Sequence, residues 1–584
     1  MTAYAAPLLD IRFMLKEIAG YDAVAALPGY EEASWDLAEA ALVGSAKLSD
    51  EVLAPLNRTG DIEGAKVENG VVRTASGWRD AYAAFRDGGW NALPFEPEHG
   101  GQGLPWLLCF ATQEMWQAAN MSFALCPLLT QGAVELLSAH GSPAQKATYL
   151  PQMISGHWTG TMNLTEPQAG TDLGAVKTRA VPGPDGTWRI TGQKIYITYG
   201  EHDLAPNIVH MVLARLPDAP AGSKGISLFI VPKFLVRSDG SLGQRNDLRC
   251  VSLEHKLGIN ASPTCVMSYG DGGGATGYLV GEANRGLEYM FTMMNTERLG
   301  VGIQGLAIAE RAYQGARAYA LQRVQSRGPR GAGAPIVQHP DVRRMLLSMK
   351  ARIDAMRGLV YAVGAAIDRS KKAEDLAERR AASEEVEVLT PVAKAWCTDL
   401  GCEIASTGIQ VFGGMGFVEE TGAAQHYRDA RITPIYEGTN GVQALDLVGR
   451  KLLRDGGGMA RRVLARMAVP DGAPADMRAA LGRGMENLAA ATEWLLKTGP
   501  AQLELAQAGA TPYLKLFGHV AGGWFLARAA AAASNGADWP DAFKAGKQLG
   551  ASFYAHHVLP ETGALLHTVK HGGESVLAIG DASF

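Results

Sequence analysis

The chain has 584 residues, 47% hydrophobic and 19% charged, with a formal net charge of −5. That length exceeds one compact core and predicts two to four domains. The composition excludes a disordered chain, and the mild negative charge without a long basic run excludes a nucleic-acid footprint.

Six cysteines, Cys109, Cys126, Cys250, Cys265, Cys397 and Cys402, form no CxxC pair and no metal-ligand spacing. They predict reduced, mostly buried thiols of an intracellular protein, and no metal site. The opening "MTAYAAPLLDIRFMLKEI" carries acids at Asp10 and Glu17 and lacks a signal-peptide core. No segment reads as long enough for a membrane span, so the cytoplasm is the expected location.

Residues 1–160 are expected to form a helical domain with an N-terminal extension. "FATQEMWQAANMSFALCPLLTQGAVELLSAHG" has helical apolar spacing, and in "GSPAQKATYLPQMISG" Ser142 is the expected N-cap with Pro143 at the first helical position. From 161 to 283 the pattern turns to strands: "VPGPDGTWRITGQKIYIT", "NIVHMVLARL" and "GISLFIVPKFLV". Within it "GGGATG" (272–277) matches G-x-G-x-x-G, but no helix follows, so a glycine turn is expected. Residues 284–455 return to helix. Leu346, Met349, Ile353, Met356, Val360, Val363 and Ile367 recur at intervals of three and four, the repeat of a long bundle helix. A second such helix is expected from near Glu384 to the Gly-Gly at 413. The stretch "GGGMARRVLARMAVPDGAPADM" marks a boundary, and 456–584 reads as an extra Ala-rich helical domain. The fold class is α+β multidomain: N-terminal helical domain, middle β domain, helical bundle, extra C-terminal helical domain. No βαβ repetition is present, which disfavours a Rossmann fold.

In "TPIYEGTNGVQALD" (433–446) one carboxylate, Glu437, stands between Ile435-Tyr436 and the small residues Gly438, Thr439, Asn440 and Gly441. A turn acid beside a helix N-terminus is the plain structural explanation.

Several stretches, in order and spanning about 75–455, resemble the acyl-CoA dehydrogenase family of flavoproteins. "MNLTEPQAGTD" (162–172) resembles Thr-Glu-Pro-x-Ala-Gly-Ser-Asp, with Thr171 in place of Ser. "KIYIT" (194–198) resembles the strand against the flavin, with Tyr196 in place of the usual Trp. "NTERLGVGIQGLA" (295–307), "QVFGGMGF" (410–417) and "YEGTNGVQ" (436–443) resemble the bundle start, a cofactor segment and the base segment.

The resemblance implies FAD, a bundle of four helices, and α,β-dehydrogenation of an acyl-CoA thioester. Glu437 would take the α-proton while the β-hydride passes to flavin N5. The backbone N–H of Glu437 and a ribityl hydroxyl would meet the enolate oxygen. Met162, Leu164, Thr165, Tyr196 and Thr198 would lie along the isoalloxazine, with Thr439 on its far side. Arg323 would bind the pyrophosphate of a neighbouring subunit's FAD, with Gln410, Gly413 and Gly414 bordering the adenine-side phosphates, which implies at least a dimer. Thr171 and Arg298 would contact CoA, and Gly438 would let the backbone approach the thioester. Two departures stand out: "QRVQSRG" lacks the family's Phe-Gly after the Arg, and His339-Pro340 replaces a common Gln.

Each residue also has a plain structural reading. Thr165 and Asp172 would cap turns. Arg298 beside Glu297 would be a solvated helix pair. Gly413 would stop a helix, and Tyr196 would be a half-buried strand aromatic.

The N-terminal addition and C-terminal extension resemble a long bacterial subgroup that also holds general fatty acyl-CoA dehydrogenases, and "KIYITYGEHDLAPNIVHMVLARLPDAPAGSKGISLFIVPKFL" and "ITPIYEGTNGVQALDLVGRKL" resemble its members acting on 3-methylmercaptopropionyl-CoA in dimethylsulfoniopropionate demethylation, with methylthioacryloyl-CoA as product. A homodimer, and an acceptor such as electron-transfer flavoprotein, are the expected partners. A medium- or long-chain acyl-CoA dehydrogenase, an acyl-CoA oxidase and a non-catalytic acyl-CoA-binding scaffold are the alternatives.

Overall fold

A computed structural model describes residues 4–68, 70–328, 331–536 and 538–584 of the chain. The chain forms two compact units, one of Gly44–Leu104 and Met115–Glu297, the other of Met1–Val43, Pro105–Glu114 and Arg298–Phe584.

In the first unit the strand-like runs pair into a sheet of eight strands. These are β1 (Trp158–Asn163), β2 (Arg179–Pro182), β3 (Trp188–Thr198), β4 (Asn207–Arg215), β5 (Ile226–Pro232), β6 (Leu248–Leu253), β7 (Thr264–Tyr269) and β8 (Ala275–Leu279). Their order is β6-β7-β3-β8-β5-β4-β1, with β2 pairing β3 and β4. Most pairs are antiparallel, whereas β1 runs parallel to β4. Ile190, Val212, Phe229, Val231 and Met267 are among the side chains of its buried core. The glycine turn expected at 272–277 lies at Gly270–Gly274, with Ala275–Gly277 already in β8, and is held by Asp247: its Oδ2 accepts from Gly272 N at 2.8 Å and Gly274 N at 3.1 Å.

Two helices of this unit matter most, α1 (Met121–His140) and α2 (Pro143–Ile154). The predicted cap is present as a reciprocal box: Ser142 Oγ accepts from Gln145 N at 3.2 Å and Gln145 Oε1 from Ser142 N at 2.9 Å. Helix α1 corrects one expectation. Its 20 residues are long and apolar enough to cross a membrane, yet 89% of that window is buried inside the protein. A helix enclosed by its own core is apolar all round, which is why length and composition mislead here. A short hairpin at Lys66–Glu68 and Val71–Arg73 interrupts the stretch expected to be helical.

The second unit is built on α3 (Gly286–Gln322), α4 (Pro340–Lys372) and α5 (Leu376–Phe412), where α3 enters it at Arg298. Helix α5 starts earlier than Glu384 because Asp375 Oδ1 accepts from Ala377 N at 2.9 Å. In α4 the predicted stripe is buried from Leu346 to Val363, but so are Arg357, Leu359 and Tyr361. The helix is covered on more than one side by α5, by the 14–19 segment and by a helix of the C-terminal region, α7 (Ala510–Asn535). At the crossing of α3 and α5, a Cβ on Gly305 would lie 2.3 Å from the Cys397 carbonyl oxygen, so only glycine permits that approach.

An ionic network runs through this unit. Arg357 donates to Glu114 Oε1 at 2.7 Å and Glu310 Oε2 at 3.0 Å. Lys547 donates to Asp10 Oδ1 at 2.6 Å and Asp354 Oδ2 at 2.9 Å. The six described cysteines are free thiols, five of them buried.

Candidate active site

The sheet unit gathers the predicted flavin-side residues. Strand β3 pairs β7 with a register shift between Cys265 and Met267, which places Ile195 and Tyr196 opposite Val266. This bulge bends the strand and re-aims the Tyr196 side chain, which is 60% exposed at a backbone φ of 60°. Ile195 N donates to Thr165 O at 2.9 Å, and Thr161 Oγ1 donates to Thr198 O at 2.7 Å. Met162, Leu164, Thr165, Tyr196 and Thr198 are thereby brought to one place. Tyr196 is not the half-buried strand aromatic of the plain reading.

Glu166, within the same loop, lies outside the predicted site and holds it together. Its carboxylate accepts from Lys194 Nζ at 2.8 Å, Lys177 N at 2.7 Å, Thr178 N at 3.0 Å and Thr178 Oγ1 at 2.6 Å. Burial works against ionisation, but the Lys194 ammonium and these donors hold its pKa down to about 2. Thr171 is exposed, and Asp172 Oδ1 accepts from Gly174 N at 2.9 Å, the turn cap of the plain reading.

The bundle unit carries Glu437 in a loop before α6 (Asn440–Asp446), two residues ahead of Thr439. Thr439 is the N-cap, its Oγ1 accepting from Val442 N at 3.2 Å. Glu437 has φ 57° and Gly438 φ 80°. A side chain at Gly438 would add strain and meet Gln443 Nε2 at 2.9 Å. Gln443 Nε2 in turn donates to Glu437 O at 3.2 Å and Gly438 O at 3.3 Å. Tyr436 OH bonds Gln304 Oε1 on α3.

Arg298 is 6% exposed and Glu297 1%, so the solvated pair of the plain reading is replaced by two buried side chains. Burial lowers the Arg298 pKa, opposed by the charges of Asp446 and Glu437. A second cation, Lys394 of α5, is fully buried, and burial depresses its pKa to about 7 against the pull of Glu437 and Asp399.

Arg323, Gln410, Gly413 and Gly414 are exposed; Arg323 follows the end of α3 and Gly413 the end of α5, and these two helix ends meet where Tyr319 stacks on Phe412 at 4.4 Å between ring centroids. Gly413, at φ 62°, is the C-cap that ends α5. Along α3 this group lies roughly 27 Å from Gln304, at about 1.5 Å of rise per residue. His339 is the N-cap residue of α4, its Nε2 3.1 Å from Gln325 O.

Sequence reading missed Lys394, Asn440, Gln443, Glu166 and Lys194. A lysine enclosed by apolar residues in "PVAKAWC" was the available signal for the first.

The acyl-CoA dehydrogenase N-terminal, middle and C-terminal domain families match residues 51–157, 161–271 and 284–453. An acetyl-CoA dehydrogenase C-terminal-like family matches 459–580. The chain belongs to the acyl-CoA dehydrogenase family and is an FAD-dependent enzyme of that class. Among relatives, it is 50% identical to the 3-methylmercaptopropionyl-CoA dehydrogenase of Ruegeria pomeroyi over 98% of this chain and 99% of that one. It is 30% identical to the broad-specificity linear acyl-CoA dehydrogenase FadE5 of Mycobacterium tuberculosis over the whole of both chains. A Bacillus anthracis acyl-CoA dehydrogenase complexed with FAD shares the fold at 21% identity, with a TM-score of 0.75 over 98% of this chain and 93% of that one.

Proposed function

We propose that the chain oxidises 3-methylmercaptopropionyl-CoA to methylthioacryloyl-CoA. The observation that carries the substrate is the 50% identity, over nearly all of both chains, to the Ruegeria enzyme of that name. Bound FAD supplies the acceptor for the β-hydrogen and its electron pair. The residues present suit such a group: the outward Tyr196 ring and Met162 offer an apolar face beside Leu164 and the hydroxyls of Thr165 and Thr198. Arg323 offers paired donors for the pyrophosphate of a neighbouring subunit's FAD, with Gln410, Gly413 and Gly414 assigned to its adenine-side phosphates, and Thr439 is the bundle residue assigned to the flavin.

The chain's own chemistry rests on Glu437. Its carboxylate receives the α-proton, while its backbone N–H donates to the thioester oxygen as charge builds there. Thr171 and Arg298 bind the CoA portion, and Gly438 lets the backbone pass close to the thioester. The functional segments are 1–160, 161–283, 284–455 and 456–584. A homodimer in the cytoplasm, passing electrons to an electron-transfer flavoprotein, completes the reading.

The second reading is a medium- or long-chain enzyme, favoured by the likeness to the FadE5 relative. Sulfur for CH₂ changes shape little, so an apolar pocket separates the two substrates weakly. Steady-state turnover of 3-methylmercaptopropionyl-, butyryl-, octanoyl- and palmitoyl-CoA with an artificial acceptor tests the proposal. The highest kcat/KM is expected for the first; a clear preference for octanoyl- or palmitoyl-CoA overturns it.

A further inference from the structure

Lys394 is the least explained charge in the bundle unit. It sits in the middle of α5 with no exposed surface. Its Nζ donates to Asn440 Oδ1 at 2.9 Å, three residues beyond Glu437. Asn440 is fixed in turn: its Nδ2 donates to Ala395 O at 3.0 Å, Thr398 Oγ1 at 3.0 Å and Asp399 Oδ1 at 2.7 Å. Its backbone N donates to Pro434 O at 3.0 Å, which closes the loop that carries Glu437. A buried ammonium is costly, and an apolar or amide side chain would fill the same space more cheaply. The charged groups facing it are Glu437 on the loop, Asp399 on α5 and Arg298 on α3.

We propose that Lys394 is a positioning residue for Glu437: its ammonium anchors the loop through Asn440 and keeps the neighbouring carboxylate ionised, ready to accept the α-proton. This rests on Glu437 being the base. The other buried cation, Arg298, faces the same carboxylate, so the effect of Lys394 is graded rather than absolute.

The test is the pH profile of kcat with saturating butyryl-CoA in the flavin-loaded enzyme. Removing a cation beside a carboxylate favours its protonated form. Lys394→Met is therefore expected to move the acidic limb of the profile to higher pH by about one unit or more, with KM unchanged. Lys394→Arg keeps the charge and is expected to hold the limb where the wild type has it. Thermal melting separates this from a packing role, because exchanging a buried cation for an apolar chain of similar volume is often neutral or stabilising. Lys394→Gln carries the same test should the Met variant come without flavin. A limb that stays in place in the Met or Gln variant overturns the proposal, as does an equal displacement in the Arg variant. Glu437→Gln is measured alongside. If that variant turns over, the base assignment falls and Lys394 has nothing to position; if it is inactive while the Lys394→Met limb stays put, only the Lys394 role falls.

Discussion

Two candidate site residues, Glu437 in the bundle unit and Tyr196 in the sheet unit, hold left-handed backbone at φ 57° and 60°. Such a conformation costs a residue with a Cβ about 1–3 kcal/mol and persists where surrounding structure fixes it. For Glu437 the fixing is visible in Gln443, which bonds the carbonyls of residues 437 and 438. Glu437→Gln preserves shape while removing the base, so flavin content and thioester binding should be retained while turnover falls about 10²–10⁴-fold. Anaerobic bleaching of the flavin on mixing with thioester checks this, and near-normal bleaching would dispose of the assignment. Arg298→Ala should raise the KM for the thioester with flavin still bound; flavin-free protein from that variant would show that Arg298 serves the cofactor instead.

At the scale of elements, the 162–172 segment is ordered by a carboxylate it carries itself. Glu166 ties this loop to Lys177, Thr178 and Lys194. Breaking a buried ion pair from one side typically costs about 3–5 kcal/mol, so Glu166→Gln should lower the melting temperature and weaken flavin retention. The sign with pH follows from a folded pKa of about 2 against an ordinary 4.5. The contribution is complete above pH 4.5 and declines as the pH drops below it, so the melting gap between wild type and Glu166→Gln should narrow in acid. A gap that widens in acid would contradict the clamp. The motif was legible as a string, but the clamp was not, because Lys194 is 28 residues along the chain from Glu166. The capping box at Ser142 and the turn at Gly270–Gly274 were legible because their partners are local or their conformation is set by residue type. The β3 bulge was not, since a register shift depends on the strand opposite. The tie of Lys394 to the Glu437 loop was hidden for a similar reason: only the folded loop brings Asn440 to it.

At the scale of the molecule, the succession of helices, sheet, bundle and extra helices was readable from changes of apolar period alone. What covers the bundle was not. Helix α7 lies on α4 and α5, and a Cβ at Gly518 would stand 2.3 Å from the Trp396 ring. Deleting 456–584 would uncover Trp396 and the apolar faces around it, and the truncated chain should partition into the insoluble fraction on expression. Recovery of a soluble, flavin-bearing truncation would show the extra helices to be dispensable. The N-terminal segment shares this seat. Arg528 Nη2 donates to Ile18 O at 2.8 Å, Trp539 Nε1 to Glu17 Oε1 at 3.0 Å, and Lys547 to Asp10. During synthesis, Asp10, Glu17 and Ile18 therefore emerge from the ribosome more than 500 positions before these C-terminal partners exist. The strap can settle earlier on α4, where Lys350 lies 2.9 Å from Asp10, but its C-terminal bonds close only when translation is nearly finished.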